Sequence, residues 1–202
     1  SPLCRQSVAP DGSLTVRVEW QPSLLGKTVV VLGASPGCLA EIFAPHYNEF
    51  QEKILARYAG VGLAGACKDE GGDPAVGLEK LPWSTYRQGA YQKATGGRDL
   101  LADFLLMRTG EQGREAERQL AINHHLEMVR RQNADVEAAF YDLVKKCLGP
   151  KAFVGTHPTW ISDPNNQGEY QRSGLDWWAV KRDVAQTDEG IPFCGDTALS
   201  KK

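Results

Sequence analysis

Two pairs of acidic residues are the features of this sequence with the clearest chemical potential. Asp69 and Glu70 directly follow a short apolar segment of strand character, and Asp188 and Glu189 follow a later segment of the same kind. In parallel α/β folds, functional sites lie at the C-terminal ends of the strands. Two carboxylates at the C-terminal ends of neighbouring strands suit glycoside hydrolysis. In that reaction one carboxyl group donates a proton to the leaving oxygen, and the other attacks the anomeric carbon or activates water. Glu70 and Glu189 are therefore the candidate catalytic pair, with Asp188 as a substrate ligand. The competing interpretation is two groups of solvated acids.

A group of tryptophans extends this interpretation, because flat apolar faces suit sugar rings and other planar ligands. They lie in or beside predicted loops and strand ends, at Trp83, Trp160, Trp177 and Trp178. His157 follows a predicted strand and is a further candidate for hydrogen bonding to a substrate. The competing interpretation is that any one of these tryptophans simply fills the core.

A second kind of catalytic site is indicated by GASPG at residues 33–37, which matches the G-x-S-x-G pattern of a nucleophile elbow. The motif lies between a predicted strand and a predicted helix, the context that such an elbow requires. Ser35 would be the nucleophile, with His157 as the base and Asp69 or Asp73 as the acid. The proline after Ser35 weakens this interpretation, because it has no N–H to donate to an oxyanion.

The elements that must position these residues are predicted from hydrophobic periodicity and from turn residues. Strand-like segments occupy residues 14–20, 27–33, 61–68, 153–156 and 177–184. Helical periodicity covers residues 38–58, 99–108, 113–148 and 192–202. Pro45 suits the first turn of the first helix, and residues 10–12 form a predicted turn. Residues 71–95 are rich in glycine and proline and are predicted to be largely irregular, whereas Asp99 and Asp103 are interpreted as helix-cap or surface residues. This order predicts an α/β fold of parallel strands joined by crossover helices.

Composition excludes several classes of protein. The chain has 202 residues, of which 42% are hydrophobic and 24% charged, an ordinary globular balance. A net charge of −2 offers no broad basic field to nucleic acid or anionic lipid. No apolar run reaches the roughly 18 residues of a membrane-spanning helix, and no signal peptide is recognised. Widely spaced cysteines without a C-x-x-C pair argue against a disulfide framework and a zinc site, and they favour a cytoplasmic location.

Six short stretches spread over most of the chain carry a resemblance to a known family. They are FAPHY at 43–47, FQEK at 50–53, ACKDE at 66–70, GTHPTW at 155–160, LDWW at 175–178 and QTDE at 186–189. Together they resemble β-galactosidase-like glycoside hydrolases of the clan A type, which are built on (β/α)8 barrels. The resemblance implies a retaining glycosidase with an acid/base glutamate ending barrel strand four and a nucleophilic glutamate ending strand seven.

Two residues carry these implied roles. Glu70 matches the acid/base position, although Asp69 stands where the family usually has an asparagine. Glu189 matches the nucleophile if a further strand lies within residues 81–95. Otherwise strand seven lies beyond Lys202 and the nucleophile is missing.

Chain length constrains the resemblance, because a barrel of this class takes about 250 residues, with roughly 200 as its lower edge. We therefore expect one α/β domain over residues 1–202 that is a partial or compact (β/α) barrel-like unit, a portion of a longer barrel. Open sheet edges expose unpaired backbone groups, which favours a homo-oligomer. The expected substrate is a small molecule or oligosaccharide, with no cofactor, metal, nucleic acid or membrane partner. A serine esterase and a non-catalytic carbohydrate-binding remnant are the alternatives.

Overall fold

The computed structural model of the chain describes residues 4–28, 30, 32–33, 40–68, 82–156 and 180–186. Internal contacts divide the chain into two compact units, Ser1–Cys38 and Leu39–Lys202. The α-helices and the parallel sheet that are described belong to the second unit. The single domain expected over residues 1–202 stays a prediction.

The first unit contains an antiparallel hairpin of two strands, β1 (Cys4–Val8) and β2 (Leu14–Val18). The turn predicted at residues 10–12 is confirmed, and Gly12 adopts the left-handed conformation that favours glycine, at φ +84°. The strand predicted at residues 14–20 is confirmed as far as the end of β2. Strand β1 has no counterpart among the predicted elements.

The strand predicted at residues 27–33 is wrong for the residues that the structure describes there. Residues 27, 28, 30, 32 and 33 belong to no strand, and Val30 and Leu32 are 45% and 47% exposed. A continuous β-branched run forms a buried strand only where neighbouring elements cover both of its faces, and periodicity does not identify those neighbours.

Four α-helices with described bounds dominate the second unit. Their bounds are α1 His46–Ala56, α2 Thr85–Thr95, α3 Leu100–Thr109 and α4 Glu115–Leu148. Helices α3 and α4 confirm the predictions at 99–108 and 113–148, and α1 confirms the middle of the helix predicted at 38–58 but not the described residues 40–45 and 57–58. Pro45 is the residue that precedes α1, as expected from its place in the sequence. Asp99 caps α3, since its Oδ1 accepts a hydrogen bond from the Ala102 N–H at 2.8 Å. Asp103, in contrast, is not at the surface but buried.

Helix α2 replaces the irregular structure predicted for the end of residues 71–95. The Ser84 Oγ caps its N-terminus by accepting a hydrogen bond from the Arg87 N–H at 3.0 Å. Gly96 ends the helix in a left-handed conformation, at φ +73°. Tyr91 is completely buried in a cluster with side chains of α3 and α4, so packing as well as capping stabilises α2.

The second unit also contains a three-stranded parallel sheet. Its strands are β3 (Gly65–Lys68), β4 (Phe153–Thr156) and β5 (Ala185–Gln186), and they lie in the order β3-β4-β5. The predicted strand at 153–156 is confirmed, and β3 confirms the second half of the strand predicted at 61–68. Helices α2, α3 and α4 connect β3 to β4, so parallel strands joined through helices are confirmed. The described strands do not close a barrel.

The strand predicted at residues 177–184 is wrong over the described residues 180–184, because β5 begins only at Ala185. Val180 and Val184 are buried against Ala134 of α4 instead. Packing on α4 therefore determines the conformation of residues 180–184, which lead directly into β5.

The core that supports the sheet lies between its strands and helices α1 and α4. Leu55 of α1, Phe140 and Val144 of α4, and Val154 of β4 form one buried cluster. Because α1 and α4 pack on each other as well as on the sheet, they determine what surrounds the end of β3.

Candidate functional site

The three parallel strands end side by side at one edge of the sheet. Lys68, the last residue of β3, is in register with Thr156 at the end of β4, which is in register with Gln186 at the end of β5. Parallel α/β proteins place their sites at this C-terminal edge. The edge, together with the cleft beside β3, is therefore the candidate functional site.

A buried ion pair joins the β3 end of this edge to α4. The Lys68 Nζ pairs with the Glu137 Oε1, and the two side chains are 13% and 1% exposed. The same ammonium lies 5.5 Å from the centroid of the Phe140 ring. An isolated charge is costly to bury, so each ion compensates the other. Lys68 therefore points towards the helix layer, and its charge is neutralised there.

Two more oxygen atoms at this edge are buried without a hydrogen-bond partner in the described part of the chain. They are the Glu137 Oε2 and the Thr156 Oγ1. Buried polar atoms are nearly always hydrogen-bonded to protein, water or ligand. Hydrogen-bonding capacity is therefore left unused beneath the surface of this edge in the described part of the chain.

An open cleft of about 820 Å³ lies beside β3 and is lined by α1, β3 and the C-terminal half of α4. Its volume is typical of small-molecule sites, which span roughly 300–1,000 Å³. Four large apolar side chains in its wall are 40–62% exposed: Phe50, Ile54, Tyr58 and Leu63. Contiguous exposed apolar surface of this kind is characteristic of binding sites.

The two ends of the cleft can be assigned relative to the sheet, because α1 runs alongside α4. The Ile42 carbonyl, just before α1, accepts a hydrogen bond from the Gln132 Nε2 at 2.6 Å. Further along α1, Glu52 forms an ion pair with Lys146. The N-terminus of α1 therefore lies at the level of Glu137, and so at the C-terminal edge of the sheet.

Polar side chains line the cleft near that edge. Burial, together with the negative charge of Glu137, raises the pKa of the Tyr47 phenol, so its hydroxyl stays protonated at neutral pH. Both polar atoms of the Gln51 side chain, Nε2 and Oε1, are buried without a hydrogen-bond partner in the described structure. Gln51 thus contributes its side chain to the wall of the cleft, while its amide nitrogen and oxygen lie buried behind that wall.

The cleft also contains a cysteine, Cys67, whose surroundings disfavour the thiolate form. Burial raises the pKa of the Cys67 thiol, against a smaller opposing effect of a hydrogen bond with the Gly155 backbone, so the thiolate is scarce at neutral pH. Among the described residues, no group of three or more His, Cys, Asp and Glu side chains is placed to hold a metal ion. None of the described helices combines the length and the apolar character needed to cross a membrane.

Most of the site residues expected from the sequence lie outside the described residues. They are Ser35, Asp69, Glu70, Asp73, His157, Trp160, Trp177, Trp178, Asp188 and Glu189. Trp83 is described: it lies two residues before α2, is 49% exposed and is not among the side chains that line the cleft. The proposed roles of all these residues stay predictions.

The structure identifies three site residues that sequence reasoning overlooked: Tyr47, Gln51 and Glu137. Glu137 carries a usable signal, because it lies on the apolar stripe of α4 three residues before Phe140 and seven before Val144. A charged residue on such a stripe indicates a buried partner of opposite charge. Tyr47 and Gln51 carry no comparable signal, since a helix surface facing a cleft resembles any other amphipathic face.

Comparison with known proteins adds no relative to this description. The chain matches no protein-family model, and no curated protein sequence or solved structure is significantly similar to it.

Proposed function

We propose that this chain belongs to a glycoside hydrolase in which Glu70 is the proton donor and Glu189 is the partner carboxylate. The observation that carries the proposal is the shared edge of β3, β4 and β5, which are parallel and end in register. Glu70 follows the last residue of β3 by two positions, and Glu189 follows the last residue of β5 by three. Both acids therefore follow strands that end at the same edge of one sheet.

Chain geometry is compatible with a working pair. Neighbouring strands lie about 4.8 Å apart, so the ends of β3 and β5 are roughly 10 Å apart. Consecutive Cα atoms are about 3.8 Å apart, so the covalent chain limits the Cα atoms at positions 70 and 189 to about 8 Å and 11 Å from the last Cα atoms of β3 and β5. These limits allow both the retaining separation of about 5–5.5 Å and the inverting separation of about 6.5–9.5 Å between carboxyl groups.

The buried ion pair supports a positioning role for β3. Lys68 is held to α4 by Glu137 directly before the chain continues to Asp69 and Glu70. A fixed strand end restricts the approach of Glu70 to the glycosidic oxygen, and orientation is a large part of general acid catalysis. In this scheme Glu70 protonates the leaving oxygen, and Glu189 attacks the anomeric carbon or activates water.

The finer architecture is part of the same proposal. The strands of the sheet are neighbours in the order in which they follow one another along the chain, as in a (β/α) barrel. A barrel-like unit that is a portion of a longer barrel, with a small glycoside or oligosaccharide as substrate, agrees with that order. A second copy of the chain covering the open sheet edges would make it a homo-oligomer.

The esterase alternative has less support. A nucleophile elbow needs a strand directly before the G-x-S-x-G motif. The described residues among 27–33, just before Ser35, form no strand. A glycosidase is therefore the function that the described geometry favours.

The test is the hydrolysis of 4-nitrophenyl β-glycosides by Glu70→Gln and Glu189→Gln variants. We expect each substitution to lower kcat/KM by at least about 100-fold, the usual contribution of a positioned acid or base. The matched control is Glu127→Gln, which alters an exposed α4 glutamate paired with Arg131 and leaves kcat/KM unchanged. Undiminished activity in either Glu70→Gln or Glu189→Gln would remove that residue from the mechanism.

Two further measurements separate the roles and the alternatives. A Glu70→Ala variant should keep a larger fraction of the unmodified protein's kcat/KM on 2,4-dinitrophenyl glycosides than on 4-nitrophenyl glycosides. The reason is that the 2,4-dinitrophenolate leaving group needs no proton. Cleavage of nitrophenyl esters that is lost in Ser35→Ala would replace the proposal with the esterase. Saccharide binding by the unmodified protein without turnover would replace it with a carbohydrate-binding remnant.

A further inference from the structure

We propose that α1 and the segment between α1 and β3 form the contact surface of a dimer, in which α1 of one chain packs antiparallel against α1 of a second copy. The inference rests on the homo-oligomer of the proposed function, to which it gives a surface, and not on any catalytic residue. We call this surface the α1 face and define it by Phe50, Ile54, Tyr58, Val61 and Leu63. Two observations carry the inference: the amount of apolar surface on this face and the opposite charges at the two ends of α1.

The exposed apolar side chains of the α1 face form one stripe. Phe50, Ile54 and Tyr58 follow one another at intervals of four residues along α1 and the turn that continues it, so they lie on the same side of the helix. They are 62%, 40% and 48% exposed. Val61 and Leu63, which lead towards β3, are 63% and 43% exposed. The stripe therefore continues from the helix to the outermost strand on this side of the sheet.

The area of the α1 face matches the apolar part of a dimer interface. A large apolar side chain offers about 150–200 Å², so five that are roughly half exposed leave about 400 Å² in water. A standard interface buries about 800 Å² on each partner, of which roughly 450 Å² is apolar. A small ligand held in the cleft would leave Val61 uncovered, because this residue does not line the cleft. A second copy covers all five residues.

The charges beside the stripe differ between the two ends of α1. Glu49 lies in the first turn of the helix, Lys53 lies in its last turn, and Arg57 is the residue that caps its C-terminus. All three side chains are exposed. None of them belongs to an ion pair within the described part of the chain. The α1 face is therefore flanked by a negative charge at one end and by positive charges at the other.

These charges select an antiparallel arrangement. When a two-fold axis passes beside Ile54, this residue contacts Ile54 of the second copy, and Glu49 lies within reach of Arg57 of the second copy. A parallel arrangement would place like charges beside each other, which is repulsive. Because the interface is isologous, each favourable contact occurs twice. Tyr58 of the second copy then lies beside the N-terminal end of α1, and so next to the C-terminal edge of the sheet.

The first experiment is sedimentation equilibrium of the full chain at concentrations from about 1 to 100 µM, where weak specific dimers dissociate. We expect a dimer with a micromolar Kd. Ile54→Asp places two carboxylates beside the axis and should raise this Kd by at least about tenfold. The matched control is Leu120→Asp on α4, a leucine 45% exposed that lies outside the α1 face, which should leave the Kd unchanged. A chain that stays monomeric, or a dimer that Ile54→Asp does not weaken, would overturn the inference.

The second experiment tests the orientation by exchanging charges. Glu49→Lys and Arg57→Glu should each raise the Kd at least about fivefold, because each change affects two symmetric contacts. The double variant should restore the Kd to within about twofold, since the exchanged charges again attract across the axis. The control is Lys93→Glu, which alters an exposed lysine of α2 and should have no effect. A double variant weaker than both single variants would overturn the antiparallel arrangement, and these exposed positions keep the test valid if Ile54→Asp does not fold.

Other outcomes separate the possible occupants and the two proposals. A monomer whose cleft binds an anilinonaphthalene sulfonate dye, with binding lost in Ile54→Asp, would assign the α1 face to a small apolar ligand and overturn the inference. Hydrolysis of glycosides by a monomer removes the dimer and leaves the glycosidase. A dimer that depends on Ile54 and hydrolyses no glycoside removes the glycosidase and leaves the interface.

Discussion

Lys68 at the end of β3 and Glu137 in the middle of α4 form an ion pair whose carboxylate is almost completely buried. The pair joins the catalytic edge proposed here to the longest helix of the chain. Its two halves are not equivalent, since the Lys68 side chain is 13% exposed and that of Glu137 only 1%. Removing the lysine leaves a carboxylate buried without compensation, whereas removing the glutamate leaves an ammonium with partial access to water.

This asymmetry gives the first prediction. Lys68→Met should lower the free energy of unfolding by about 3–5 kcal/mol, the cost of leaving one buried charge unpaired. Glu137→Leu should cost less, and the double variant should cost less than the sum of the single ones, because it leaves no unpaired charge. Urea denaturation of the four proteins measures the cycle.

A control for this cycle is the exposed pair of Glu52 and Lys146, whose side chains are 41% and 67% exposed. Its double-mutant cycle should give less than about 1 kcal/mol. Additive effects at Lys68 and Glu137 would show that the two residues do not interact.

The second prediction concerns stability in acid. The Asp103 carboxylate accepts hydrogen bonds from the Tyr91 hydroxyl at 2.7 Å and from the Arg98 guanidinium at 2.6 Å. Burial raises the pKa of Asp103, but these bonds and the Arg98 charge outweigh it, so the pKa lies below its usual value. The unfolded chain therefore takes up this proton first, near pH 4, and the stabilisation is lost as the pH falls through the lower, folded pKa.

Asp103→Asn tests this linkage, because asparagine keeps the shape but loses the charge. We expect a loss of about 2 kcal/mol at pH 7 and a weaker fall in stability between pH 5 and pH 2 than in the unmodified protein. Thermal or urea unfolding at several pH values measures both. The same pH dependence in the variant and the unmodified protein would assign the acid sensitivity to other carboxylates.

The third prediction concerns two glycines. A Cβ on Gly65 would stand 2.2 Å from the Phe153 carbonyl oxygen, so Gly65→Ala must push β3 away from β4. We expect the free energy of unfolding to fall by about 1–3 kcal/mol. Gly89 is the matched control: it lies within α2 with open space around its Cα, so Gly89→Ala should stabilise the protein by about 0.5–1 kcal/mol. A neutral Gly65→Ala would contradict the described pairing of β3 with β4.

The fourth prediction concerns the start of α3. The Asp99 Oδ1 accepts a hydrogen bond from the Ala102 N–H at 2.8 Å. Asp99→Ala should cost about 1 kcal/mol, and Asp99→Ser should restore most of it because serine also accepts this bond. The measurement is the free energy of unfolding of the unmodified protein and of the two variants. Equal losses of stability for alanine and serine would mean that the charge of Asp99, rather than its capping hydrogen bond, is responsible.

The elements that could be predicted from the sequence are those determined by residues close together in the chain. Helices α1, α3 and α4 were predictable because their apolar periodicity and their terminal residues, such as Pro45, Asp99 and Gly149, act within a few residues of the chain. Strand β4 was predictable for the same reason. Helix α2 has local signals in Ser84 and Gly96 as well, but the glycines and prolines of residues 71–95 obscured them, and the burial of Tyr91 against α3 and α4 is visible only in the structure.

By itself, the sequence determined the α/β class, the long helices and the acids that follow β3 and β5. Only the tertiary structure decided that residues 27–33 form no strand over their described part, that Asp103 and Glu137 are buried, and that α1 and β3 leave an open cleft between them. The physical reason is separation along the chain. Lys68 and Glu137 are 69 positions apart, so no local pattern specifies that their charges cancel, and only packing of α4 onto the sheet brings them together.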